Sequence, residues 1–310
     1  MRKTRLFCLF LLVVTILSGC TNSETETASS GEPDVISVLF HQPYLDTMGI
    51  TPHCSKDRKS MPKKIKSVLS EEPVAIVQEP GGLFSKDYFA VTRNASNYCY
   101  YGEVKDNKPD GFGVLSAGEI DLKQLNTLSG IIYAGEFSKG RFDGYGAKFR
   151  YKSSADTTIV DDSISSGKLD PSYRGLAEAY LRSCVVYDGY WKKGEMRGEG
   201  NIFDANIDES NPVQSGYWGG PCYPTSFFVT TAKDGQCSGS TKEYHYGFLI
   251  YDGGMKNDQR DGSGISYYYS GQKRYDGKWS RGTYHGSGKL YDENGELIYS
   301  GKWEYGDYAS

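Results

Sequence analysis

From Tyr100 onwards the chain alternates aromatic or small residues with polar ones, at a period of two. Tyr187-Asp188-Gly189-Tyr190-Trp191 and Tyr275-Asp276-Gly277-Lys278-Trp279 place Tyr, Gly and Trp at i, i+2 and i+4. Those three positions share one face of a strand. Upstream the pattern is different. Val35–Phe40, Val74–Gln78 and Tyr88–Thr92 read as strands, and Ile65, Val68 and Leu69 mark one side of a short helix near Lys63–Leu69. Two stretches interrupt the later alternation. Lys152–Lys168 is loop-like and leads to Asp170-Pro171, a helix N-cap with proline at the first helical position. A helix to about Arg182 follows, with Leu176, Ala179 and Tyr180 on its buried face. The second interruption runs from Asp204 to Leu249.

The aromatic runs are copies of one another. Tyr187, Gly189 and Trp191 lead to a turn residue, Gly194, and the pair Gly198 and Gly200. Tyr275, Gly277 and Trp279 lead at the same offsets to Gly282, Gly286 and Gly288. The offsets recur in Tyr133, Gly135 and Phe137, in Tyr251, Gly253 and Met255, and in Tyr100, Gly102 and Val104. Tyr299, Gly301 and Trp303 begin a last copy that has its turn Gly306 but no Gly pair. The first tyrosines lie 33, 54, 64, 24 and 24 residues apart, so insertions break an otherwise regular period. Gln214-Ser215-Gly216-Tyr217-Trp218 has the first half of the pattern, with Pro221 in place of the turn glycine.

The form Y-x-G-x-W-x-x-G-x-x-x-G-x-G resembles the MORN repeat over roughly Tyr100–Ser310. The resemblance implies a mainly β fold, an elongated twisted sheet of stacked antiparallel hairpins. A small α+β N-terminal module and one short inserted helix are expected beside it. The glycine between two rings is expected to leave room for the ring of a neighbouring repeat. Gly140, Gly194, Gly282, Gly306, Asn107 and Asp258 suit a hairpin turn that needs φ > 0, and Asn294-Gly295 suits a tight link between hairpins. A lone hairpin is marginal, so cohesion has to come from nearest neighbours. Trp279, with complete copies on both sides, is expected to matter more than Trp303.

The N-terminus carries a separate signal. Arg2, Lys3 and Arg5 precede an apolar run, Leu6–Leu17, broken only by Thr15. Twelve helical residues reach about 18 Å, short of a ~30 Å hydrocarbon core, so the run reads as a signal segment and not a span. Leu17-Ser18-Gly19-Cys20 resembles a bacterial lipobox, which implies cleavage after Gly19 and lipidation of Cys20. Thr21, rather than Asp, follows it, which in a two-membrane cell implies the outer membrane. The expected organisation is a signal peptide at 1–19, a flexible tether at 20–34 and the N-terminal module at 35–99. The array then spans 100–310, with insertions at about 152–183 and 204–250. In an exported chain Cys222 and Cys237 are a candidate disulfide, and Cys54 with Cys99 a weaker one.

Composition narrows the function. The chain holds 38 Gly, 26 Tyr and 14% aromatics, which suits short aromatic strands joined by tight turns. The formal charge is −4, and losing residues 1–19 removes three cations and no acid, taking it to −7. An acidic chain is a poor nucleic-acid binder. The Gly-x-Gly pairs recur in the five complete copies and open no helix, so they are backbone features and not a dinucleotide fingerprint. Asp106–Gly111 imitates a calcium loop, but Lys108 occupies a ligand position. His285 replaces the aspartate of Asp110, Asp143 and Asp261. No nucleophile elbow, Walker pattern or zinc spacing occurs. No catalytic residue, metal or cofactor is expected. The expectation is a lipid-anchored envelope scaffold that binds a protein partner. The alternatives are an immunity-type inhibitor of a secreted toxin, and an anionic-lipid binder using Lys105, Lys139, Lys192, Lys193, Lys256 and Arg281 beside the turns.

Overall fold

The computed structural model describes residues 51–81, 87–94, 96–151, 183–203, 226–245 and 248–309, with 36, 161, 164–167 and 171 besides. Cys20, the tether, Cys222 and the partial copy at Gln214–Trp218 lie outside the described residues, as does the inserted helix apart from Pro171.

Two short strands come first, β1 (Val74–Glu79) and β2 (Tyr88–Val91). Hairpins follow: β3 (Tyr98–Lys105) with β4 (Lys108–Ala117), and β5 (Ile131–Ser138) with β6 (Arg141–Tyr151). Next are β7 (Ser183–Lys192) with β8 (Glu195–Phe203), and β9 (Ser226–Lys233) with β10 (Gln236–His245). The series closes with β11 (Phe248–Lys256) and β12 (Gln259–Tyr267), then β13 (Lys273–Ser280) and β14 (Thr283–Tyr291). A last pair is β15 (Leu297–Glu304) with the two-residue β16 (Asp307–Tyr308). All sixteen strands form one open antiparallel sheet, in chain order from β16 to β3 and then β1 and β2.

Each hairpin turns on two residues of positive φ. In the second hairpin these are Lys139 (φ 51°) and Gly140 (φ 78°), between the paired Ser138 and Arg141. A two-residue turn of this kind matches the natural twist of the strands. The turns also join one hairpin to the next. The amide of Gly140 donates to Pro109 O (2.8 Å), Gly194 to Phe142 O (2.9 Å), Gly282 to Arg260 O (2.9 Å) and Gly306 to Tyr284 O (2.9 Å).

The N-terminal residues are not a separate layer of sheet. β1 pairs with β3, and β2 lies along the turns: Phe89 N donates to Gly140 O (2.7 Å) and Val91 N to Asn107 O (2.9 Å). One edge of the sheet is thereby covered. The helix α1 spans Ser55–Leu69, longer than the Lys63–Leu69 expected, and Pro62 sits inside it. Its first turns are held by tertiary contacts, which local periodicity cannot reveal. Ile36, expected in a strand over Val35–Phe40, is helical and buried.

The segment at 204–250, expected as an insertion, contributes β9 and β10 between β8 and β11. This hairpin occupies a repeat position with altered residues. Phe228, Thr230 and Ala232 stand where Tyr, Gly and the aromatic residue would be, and Thr241 replaces the last glycine. Thr230 and Thr241 hydrogen-bond to each other through their hydroxyls (2.7 Å).

Candidate functional site

The sheet has two faces of different construction, and the repeat residues build only one. On the ring face each tyrosine lies along its own strand and covers the glycine two residues on and the glycine paired with it. A methyl group on Gly135 or Gly146 would collide with the Tyr133 ring, and one on Gly277 or Gly288 with Tyr275. The space beside the glycine is therefore filled by the repeat's own ring, not by a neighbour's. The hydroxyl then donates to the carbonyl three residues ahead: Tyr133 to Glu136 (3.1 Å), Tyr187 to Tyr190 (2.9 Å), Tyr275 to Lys278 (2.9 Å). That carbonyl is free because the ladder breaks there. Gly135 pairs with Gly146 and Phe137 with Phe142, so one residue of β5 faces three of β6.

Tryptophan supplies the coupling between hairpins. Trp191 Nε1 donates to Gly146 O (3.1 Å), Trp279 to Gly264 O (3.0 Å) and Trp303 to Gly288 O (3.2 Å), in each case on the preceding hairpin. Trp303 also packs edge-on against Tyr275 and Tyr284 of that hairpin (5.5 and 5.2 Å). Its burial matches that of Trp279, 4% against 5% exposed. The expected weaker role of Trp303 is thus not supported by burial, because each tryptophan leans backwards along the array.

Tyr133, Tyr187, Tyr251 and Tyr275 are fully buried, whereas Tyr299 is half-buried because β16 is too short to bring a second glycine beneath it. Burial raises the phenol pKa of each of the four, that of Tyr251 and Tyr275 to about 12. They stay neutral hydrogen-bond donors across any ordinary pH.

Arg260 occupies the position of Phe142 and Tyr284, its guanidinium 4.7 Å from the Tyr251 ring centroid and 5.2 Å from Trp279. It donates to Glu243 Oε2 from Nη2 (2.9 Å) and Nε (3.2 Å), and His245 Nε2 lies 3.1 Å from Oε1. Burial pushes the Glu243 pKa up, but the bonds to His245 and Arg260 outweigh it and leave a net lowering. The cluster is structural in its geometry, because both oxygens of Glu243 are turned to protein donors.

On the opposite face, α1 lies across the strands of the first three hairpins. Fifteen residues span about 22 Å, close to the five strand spacings of ~4.8 Å from β8 to β3. Met61, Ile65 and Leu69 are buried against a cluster that includes Tyr101, Val114, Ala134 and Phe203. Burying such side chains stabilises by about 1.5–3 kcal/mol each. At the other end the Arg58 guanidinium donates to the Asp188 carboxylate, which also accepts from Asn201 Nδ2 (2.5 Å). Asn201 Nδ2 donates to His53 O (3.0 Å) and its carbonyl accepts from His53 N (2.9 Å). Beyond β10 this apolar cluster ends. The same face of β11–β15 carries Asp252, Ile265, Asp276, Lys289, Ser300 and Lys302, half-buried or exposed.

The turn cations are partly neutralised. Lys192 Nζ lies 2.9 Å from Asp143, whose carboxylate also accepts the Lys193 amide (3.3 Å), and the Lys139 amide donates to Asp110 (3.1 Å). These aspartates anchor the next turn, a role that sequence offsets alone did not suggest. Cys237 is a buried free thiol in a ring position, with burial and Asp258 raising its pKa to about 12. Cys54 and Cys99 are also free thiols. Cys54 bonds to Glu199 O on β8 and Cys99 lies on β3, at opposite ends of α1, so the weaker pairing is not made. No cluster of three or more metal-ligating side chains occurs among the described residues, and no described helix is long and apolar enough to cross a membrane.

The profile of the MORN repeat matches the chain at five places, residues 100–117, 133–147, 187–202, 251–273 and 275–296. No curated protein matches it. The matches fall on the hairpins β3–β4, β5–β6, β7–β8, β11–β12 and β13–β14. The degenerate hairpin β9–β10 and the terminal β15 fall outside them.

Proposed function

We propose that this array of MORN repeats is a non-catalytic scaffold, tethered to the cell envelope through a lipid on Cys20, that binds a protein partner. Repeats of this kind are in general protein- or membrane-binding modules, and all-β arrays of them are typically non-catalytic. The observation that carries the reading is the division of labour between faces. The rings close one face upon itself, so the other face is not needed for cohesion. Over β3–β8 that second face already holds an amphipathic helix, α1. Over β11–β15 no described element covers it, and a partner segment binds there.

The test is capture from envelope extracts by the chain, compared with a variant carrying Lys289→Glu and Ser300→Arg on the open face. A partner retained by the parent and lost by the variant supports the reading. Capture unaffected by the variant, or turnover of an envelope substrate by the purified chain, contradicts it. The tether has its own check. Cys20→Ala abolishes incorporation of a palmitate analogue, and continued labelling rules out the lipobox.

A further inference from the structure

The solvent side of α1 carries a row of exposed lysines. Lys56, Lys59, Lys63 and Lys66 recur at spacings of three, four and three residues, and all four are exposed. On a helix of 3.6 residues per turn they form one stripe about 15 Å long. The opposite side is the one buried on the sheet, through Met61, Ile65 and Leu69. The other two cations of the helix are engaged, Arg58 with Asp188 and Lys64 with Glu136 (3.4 Å). Among the described residues Lys56, Lys59 and Lys63 take part in no ion pair. The one acid within the helix, Asp57, accepts a hydrogen bond from Tyr190 (3.2 Å), and Glu71 and Glu72 stand beyond its C-terminus. This concentration of positive charge stands on a chain whose formal charge is −4.

We propose that the lysine stripe of α1 is an electrostatic contact to an anionic bilayer surface. The proposal rests on the membrane tether described above and adds to it a docking face. A protein interface draws its affinity from buried aromatic and arginine anchors. The stripe has none, since the other exposed residues of the helix are Lys64 and Ser67. Nucleic acid would call for aromatic residues interleaved with the cations and a basic remainder, and both are missing. Lipid headgroups require charge alone, held near them. Cys20 precedes α1 in the chain, so an anchored N-terminus keeps the stripe within tether length of the headgroups. The contact uses the outer side of α1 and leaves the open face of β11–β15 for a protein.

The test is co-sedimentation of the unlipidated Cys20→Ala chain, with Arg2, Lys3 and Arg5 also replaced by glutamine, with neutral phosphatidylcholine vesicles and with vesicles one-third phosphatidylglycerol. The apolar N-terminal run contributes equally to both, so the ratio of the two partition coefficients reports charge. The expected ratio at low salt is on the order of several hundredfold, at about fivefold for each of the four lysines, and it falls as salt rises. Replacing all four stripe lysines by glutamine brings the ratio near one, whereas replacing them by arginine keeps it. Glutamine at Lys139, Lys193 and Arg281 also leaves it unchanged. A ratio near one in the parent, or one that survives the stripe variant, overturns the proposal. So does a ratio lost on changing the turns. Stripe-dependent binding of polyglutamate without any vesicle preference assigns the surface to an acidic protein instead. Partner capture in the absence of lipid is a separate measurement, so the scaffold reading stands or falls independently.

Discussion

Asp188 and Asp276 hold the same position in two copies of the repeat, yet their surroundings are opposite. Asp188, in the half of the sheet under α1, is 1% exposed and bound by Arg58 and Asn201. Asp276, in the half beyond β10, has a side chain 40% exposed and pairs with Lys273 at the surface (2.9 Å). The ring face is the same in both halves: Tyr187 and Tyr275 cover their glycines alike, and Trp191 and Trp279 reach back to a glycine carbonyl alike. A repeat of this kind therefore coheres through one face. The residue between Tyr and Gly is free to become core or surface according to what lies on the other side.

That comparison sets the order of expected effects. Trp279→Ala should cost about 3–5 kcal/mol, and Trp303→Ala a similar amount, since each loses a glycine carbonyl and a tyrosine ring at equivalent positions of the preceding hairpin. Denaturant unfolding measures both. A much smaller loss at Trp303 would mean that coupling does not run backwards. Asp188→Ala should cost about 3 kcal/mol, because it leaves the Arg58 charge buried without its carboxylate. Adding Arg58→Met should recover most of that loss. The recovery is absent if Asp188 acts through Asn201 alone.

Glu243→Gln sharpens the picture on the ring face through pH. The folded pKa of Glu243 is lowered, so its contribution to stability is complete above the ordinary glutamate value and fades as pH falls through the lowered one. The variant should unfold with a flatter acid limb than the parent. An identical limb would show that other carboxylates govern acid unfolding. The smallest effects belong to the open half. Asp276→Ala and Lys278→Ala should each cost under ~0.5 kcal/mol, as exposed pairs and surface residues do.

The ring face was legible in the sequence because its chemistry is local. Tyr, Gly and Trp at i, i+2 and i+4, with a turn at a fixed offset, contain the tyrosine's cover of its own glycine within one hairpin. What was not legible was either degenerate or distant. The hairpin β9–β10 lost Tyr, two glycines and its aromatic residue together, keeping only Asp234-Gly235 and Gly239. One signal remained: Phe228 lies 23 residues before Tyr251, within one residue of the repeat period. The full length of α1 depends on Met61 and on the Arg58–Asp188 contact, 130 residues apart in the chain, and no window of local pattern contains both. Equally, Asp188 and Asp276 sit in the same repeat context, so sequence alone could not tell the buried one from the exposed one.

Amide hydrogen exchange, read strand by strand, tests the one-faced account most directly. Ile65→Asp places a charge in the fully buried contact between α1 and the sheet and should detach the helix. The account predicts that amides of α1 lose protection, while those of β3–β8 keep most of theirs, held like β11–β15 by their own rings. Loss of protection throughout β3–β8 once the helix is detached would contradict it.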